Sequence, residues 1–352
     1  MSDPGQRLRS SLTAEQSASA VEFDSPIAME ALRATQVLHA ADQEPFPVPG
    51  RIRVITIANQ KGGVGKTTSS VNLGVALALY GLRTLVIDLD PQGNTSTALG
   101  VPHSVGTPSV YDALVGDSSL AEVVHPTTAT PLLSCVPATI DLAGAEIELV
   151  SVVAREYRLR RAIETYLQEL PPEQRPHYVL IDCPPSLGLL TLNALVAGDE
   201  VLIPIQCEYY ALEGLGQLLN NIDLVRRHLN PGIAVRTILL TMYDGRTKLA
   251  DQVAEEVRNH FGSLVLETVI PRNVRVSEAP GYGQSVVTYD PGSRGSTSYV
   301  EAARELAHRG VPLPPLASRP TPGTPVAAPV GTAFPDTDAA TVPVPPSSEE
   351  RA

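Results

Sequence analysis

Cysteine is scarce in this chain, and the little there is does not cluster. Cys135, Cys183 and Cys207 are the only three among 352 residues, with no CxxC pair and no Cys/His cluster. That argues against a disulfide framework or a structural zinc site and for a reducing compartment. Long hydrophobic runs are missing too: no segment approaches the roughly 18 apolar residues of a membrane helix, and no early stretch joins bases to a continuous apolar run. A cytoplasmic location without membrane insertion is expected. Positive charge is in deficit, with 26 Lys and Arg against 38 Asp and Glu, a net of −12. Residues 1–50 carry −4 of this and residues 311–352 carry −2, leaving −6 for the middle. The field of the whole chain repels a polyanion, so any DNA contact must come from a local basic patch. Composition by itself favours an enzyme that does not touch DNA.

Two biased ends flank a middle that reads as globular. From Val311 onward Pro, Ala, Thr and Ser dominate, so little apolar surface can be buried against chain entropy and disorder is expected over 311–352. Residues 1–50 read as a mostly disordered extension with one short helix over 26–39, a run of good helix formers opened by Pro26. Between Arg51 and Gly310, apolar strands alternate with helices. Strands are expected at 54–58, 84–88, 177–182, 200–205 and 237–241, with helices at 67–80, 212–229, 249–261 and 298–308. This pattern predicts an α/β fold, a doubly wound and mostly parallel sheet with helices on both faces. In such sheets ligands bind beyond the carboxyl ends of the strands.

Asn59-Gln-Lys-Gly-Gly-Val-Gly-Lys-Thr-Thr68 lies directly between the first strand and its helix. Gly62, Gly63 and Gly65, with Val64 between them, let backbone N–H groups curl around phosphate oxygens, and the helix presents its positive end there. Lys66 is expected to reach the β- and γ-phosphates and the Thr67 hydroxyl to bind Mg²⁺, with Thr68 beside it. The second strand ends in Asp88-Leu-Asp90; carboxylates two apart face one side. One can hold Mg²⁺ through water while the other orients the attacking water. The third strand ends in Asp182, the position of a carboxylate that contacts Mg²⁺ through water.

The loop departs from GxxxxGK[ST], with Gln60 at the first glycine's place and an extra lysine, Lys61, before Gly62. In this it resembles the deviant Walker A ATPases, xKGGxGK[ST], and the segment Asp88-Leu-Asp-Pro-Gln-Gly-Asn94 resembles that family's DxDPQGN. Three later segments, Thr241–Thr247, Ile270–Pro280 and Tyr289–Gly295, resemble the ParA/Soj partitioning ATPases in order and spacing. The likeness spans about 54–306. Relatives that bind membranes (the division-site ATPase MinD) end in a basic amphipathic helix, those that carry iron–sulfur clusters use paired cysteines, and GTPases use NKxD; none of these marks is present.

The resemblance implies an ATP hydrolase, with ATP and Mg²⁺ as cofactors. Lys61 would cross a homodimer interface to the partner's nucleotide, Asp90 would be the hydrolysis residue with Asp88 left to hold Mg²⁺ beside Thr67 and Asp182, and Pro271 and Asn273 would border the adenine. Arg246 and Arg275 would contact double-stranded DNA without sequence preference, placing the protein on the nucleoid, and a ParB-type centromere-binding protein would stimulate hydrolysis. Lys248, where relatives often carry a neutral residue, should add to the DNA contact. Phosphate-only recognition needs cations rather than base-reading side chains. The alternatives are ion pairing of these arginines with Glu278 and Asp290, and a relative that positions a protein cargo.

Overall fold

A strand buried along its whole length needs cover on both faces, and three such five-residue strands build the interior of this fold. The structure, a computed structural model, describes residues 44–209 and 215–309. The expected helix at 26–39, the tail at 311–352 and residues 212–214 lie outside the described residues.

Among the described residues, eight strands form one sheet: β1 (Arg53–Ile57), β2 (Thr84–Asp88), β3 (His125–Pro126), β4 (Leu133–Val136), β5 (Tyr178–Asp182), β6 (Glu200–Gln206), β7 (Ala234–Tyr243) and β8 (Val265–Pro271). Their order is β3-β4-β2-β5-β1-β6-β7-β8. All neighbours are parallel except the short edge strand β3, which runs antiparallel to β4. Every residue of β1, β2 and β5 is buried. Alternate side chains go to opposite layers: Leu85, Ile87, Val179 and Ile181 pack in one apolar cluster, Ile55, Ile57, Val86 and Leu180 in the other. The second layer holds the helices Lys66–Leu79 and Arg294–His308. The first holds Arg158–Glu169, Leu189–Ala197, Leu215–His228 and Lys248–Phe261.

The five expected strands are present as β1, β2, β5, β6 and β7, and β8 leads into the segment at Ile270; β3, β4 and the helix Arg158–Glu169 are among the elements not expected. That helix buries only Leu159 and Ile163, too thin a stripe to read from the sequence. The last helix begins at Arg294 rather than 298, because the Ser293 side chain caps it by accepting from the Ser296 amide. Phe46, ahead of Arg51, is buried, stacks on Tyr80 at 4.3 Å and donates its amide to the Tyr80 carbonyl.

At the amino ends of the strands, Arg53 is buried in a two-point ion pair with Glu200, at 2.9 and 2.7 Å. It also donates to the Leu306 carbonyl at 2.7 Å, tying β1 and β6 to the last helix. The opposite, carboxyl ends of β1, β2, β5, β7 and β8 carry the residues singled out in the sequence.

Candidate phosphate site and its surroundings

The loop after β1 turns into the helix Lys66–Leu79 through Gly65, whose φ of 91° is open to glycine and strained for other residues. Gly63, with φ 73°, sits at the open rim beside Gly62. Val64 is buried and anchors the loop from below. Among the described residues no acceptor takes a hydrogen bond from the amides of Gly62, Gly63, Val64 or Gly65. The buried Gln60 Nε2 also lacks a partner there. Unclaimed donors at a helix N-terminus suit an anion.

Lys66 is buried and its Nζ donates to the Lys61 carbonyl at 3.1 Å. Burial pushes its ammonium below the usual lysine value, while the carboxylates Asp182 and Asp90 act the other way. Two fully buried carboxylates end neighbouring strands, and one of them, Asp182, acts on Lys66. Asp88 and Asp182 are register partners at the ends of β2 and β5. The Asp182 oxygens accept from Ser70 Oγ at 3.0 Å and Thr95 Oγ1 at 2.7 Å, and the Thr67 hydroxyl lies near enough to favour its charge. Asp88 Oδ1 accepts the Asp90 amide at 3.1 Å, and its Oδ2 accepts Ser96 N at 2.9 Å and Ser96 Oγ at 2.7 Å. Burial and then the charge of Asp182 raise the Asp88 carboxyl well above the carboxylate range. Burial also raises Asp182, while the hydroxyls around it and the Lys66 ammonium favour its ionised form.

Sequence spacing led us to expect Asp88 and Asp90 on one side. Instead Asp88 is sealed between β5 and the short helix Asn94–Ala98, whereas Asp90 lies past the strand end, half-buried and within electrostatic reach of Lys66. Its Oδ1 accepts the Gln92 amide at 3.0 Å. The hydroxyls of Ser70, Thr95 and Ser96, which organise the carboxylates, were missed in the sequence; the runs of Ser and Thr after Lys66 and after the DPQGN segment were the available signals.

Lys61 lies at the rim and is ion-paired with Glu208 of its own chain, just beyond β6. Its amide donates to Asn59 Oδ1 at 3.0 Å. Pro271 ends β8 opposite Tyr243 of β7. Asn273 caps the helix Val274–Glu278 by accepting the Arg275 amide at 2.8 Å. The exposed Arg246 is held by Asp244, with contacts of 2.8 and 2.7 Å. Arg275 is paired with Glu278 at 2.9 Å and Asp290 at 3.2 Å. Lys248 opens the helix Lys248–Phe261 and is exposed. The arginine segments follow β7 and β8, neighbouring strands of the sheet.

The donor set fits a nucleotide with Mg²⁺. Free amides and Lys66 suit phosphates, and Thr67 with Asp182 offers one hydroxyl and one carboxylate. Mg²⁺ keeps most of its positions for water and phosphate oxygens and needs no protein cage. Accordingly, no group of three or more metal-ligating His, Cys, Asp or Glu occurs among the described residues.

A parallel sheet with this glycine–lysine loop at the first strand's end defines a P-loop nucleoside triphosphatase fold. Residues 52–235 match the family described as an AAA domain. The chain is 54% identical over 258 residues to the sporulation initiation inhibitor protein Soj of Bacillus subtilis, covering 73% of this chain and 99% of that one. It is 52% identical over 263 residues to the chromosome partitioning protein ParA of Myxococcus xanthus, covering 75% and 90%. Among solved structures, the cobyrinic acid a,c-diamide synthase of Mycobacterium smegmatis with bound ATP analog and magnesium matches with TM-score 0.61 and 38% identity, covering 72% and 93%. The chain belongs to the Soj/ParA family of chromosome-partitioning ATPases.

Proposed function

We propose that this chain is the ATPase of a chromosome or plasmid segregation system, with its ATPase domain over about 51–310. In this reading it binds ATP with Mg²⁺, closes into a homodimer around the nucleotide and binds double-stranded DNA non-specifically in that state. A ParB-type protein stimulates hydrolysis to ADP and phosphate and so releases it. The observation that carries the reading is the division of labour between two lysines in one loop. Lys66 is buried among the carboxylates, while Lys61 stands at the rim on an ion pair that it can exchange for a partner's phosphates.

The amides of Gly62 to Lys66 bind phosphate oxygens, with Thr68 adjoining them, and Lys66 neutralises the developing charge. Thr67 and Asp182 hold Mg²⁺, with Asp88 behind Asp182 as the carboxylate that fixes the turn. Mg²⁺ supplies Lewis-acid polarisation of the phosphoryl oxygens. Asp90 orients the attacking water, and Pro271 and Asn273 border the adenine. Arg246, Lys248 and Arg275 take DNA phosphates.

One observation favours a cargo-positioning relative instead: Arg246 and Arg275 are already satisfied by acids of their own chain. A gel shift on random-sequence duplex with ATP, with ADP and without nucleotide decides between them. An ATP-dependent shift supports segregation; its absence at low salt supports protein cargo.

A further inference from the structure

We infer that Thr241 is a positioning residue for the phosphate loop, acting through the peptide bond between Val64 and Gly65. The inference rests on the reading of that loop as an ATP site. Thr241 lies two strands away from β1, near the end of β7, and is buried. Its hydroxyl donates to the Val64 carbonyl at 2.8 Å. A trans peptide is planar, with its C=O and the following N–H pointing in opposite directions. Holding the Val64 carbonyl on Thr241 therefore turns the Gly65 N–H away from β7, to the open side of the loop. That is one of the amides without an acceptor among the described residues. The Thr241 methyl supports the same spot from beneath: a Cβ added to Gly65 would lie 3.7 Å from Thr241 Cγ2.

Thr241 is itself held in place. Its carbonyl accepts the Cys207 amide at 3.1 Å, joining the ends of β6 and β7. The next residue, Met242, has φ 51°, a left-handed conformation that non-glycine residues adopt at a cost. The β7–β8 register shifts between Leu240 and Tyr243, around this residue. Such strain persists only where the surroundings over-determine it. Here the kink lies between the residue that grips the loop and the segment leading to Arg246. A preset amide loses less freedom when it meets a phosphate, so the hydroxyl contributes to nucleotide affinity without touching the nucleotide.

The test compares Thr241→Val, which keeps the shape and loses the donor, with Thr241→Ser, which keeps the donor and loses the methyl. ATP affinity with Mg²⁺ is measured by calorimetry on the full chain, alongside the thermal midpoint without nucleotide. Expected is an affinity loss of about tenfold in the Val variant, the scale of one net hydrogen bond. The Ser variant should stay within about twofold of wild type on the same scale. Wild-type affinity in the Val variant, or an equal loss in both, overturns the inference. Should the Val variant not fold, Thr241→Cys, a weaker donor, takes its place; an intermediate affinity supports the inference and an unchanged one overturns it. Failure of wild type to bind ATP at all would instead sink the ATP-site reading beneath it.

Discussion

Removing Arg246 and Arg275 together puts the DNA-binding part of the proposal at most risk, because both arginines are neutralised within the chain. Arg246 is held by Asp244, and Arg275 by Glu278 and Asp290. These pairs are solvent-exposed, with side-chain exposures of 87% for Arg246 and 54% for Arg275, so water and salt screen them and a phosphate can displace the acids. The two arginines then give two phosphate contacts per subunit and four per dimer, beside that of Lys248. At about −0.9 in log affinity per log salt for each contact, these four account for a slope of about −3.6. The Arg246→Ala/Arg275→Ala protein should keep ATP binding and dimerisation, and its slope should be shallower by about that amount. The opposite change, Asp244→Asn, removes the competing carboxylate and should strengthen binding at every salt concentration. The assay is a salt titration with ATP on two unrelated duplexes, which should bind alike. An unchanged slope in the double variant would refute the assignment and move the DNA face elsewhere.

Lys66→Ala should abolish ATP binding, whereas Lys61→Ala should leave the monomer's affinity largely intact and lose the ATP-dependent dimer; calorimetry and sedimentation separate the two. A Lys61 variant that dimerises normally would overturn its trans role. Asp90→Ala should retain the ATP-dependent DNA shift and lose phosphate release, because Asp90 serves water placement while the loop serves binding; lost ATP binding would mark it as structural. Glu200→Ala leaves the buried Arg53 without its carboxylate, and removing one partner of such a pair costs about 3–5 kcal/mol. In a domain of this size that lowers the thermal midpoint by about 10 °C, and a shift within about 2 °C, at most about 1 kcal/mol on that scale, would contradict the account of Arg53.

The nucleotide loop was legible because its chemistry is local: the glycines, Lys66 and Thr67 are contiguous and are delimited by a strand and a helix. The central strands were legible for a similar reason, since runs such as Thr84–Asp88 are short, apolar and end in turn residues. Partnerships across the sheet could not be read. The Asp88–Asp182 pairing depends on the register of β2 against β5, and the sealing of Asp88 depends on Ser96 returning to it from the next helix. Glu208 beside Lys61 and Thr241 beneath Val64 arise from strand order, which no local pattern encodes. The ion pairs of Arg275 were foreseen as an alternative, because Glu278 is near in sequence and Asp290 follows soon after; the local partner of Arg246, Asp244, was overlooked.

The central claim is that ATP, and not ADP, assembles the chain into the dimer in which Lys61 leaves Glu208 for the partner's nucleotide. Sedimentation velocity of the wild-type protein with Mg²⁺ and ATP, with Mg²⁺ and ADP, and without nucleotide tests it directly. The account predicts a doubling of mass with ATP alone. A monomer in all three conditions, or a dimer that forms equally well without nucleotide, would contradict it.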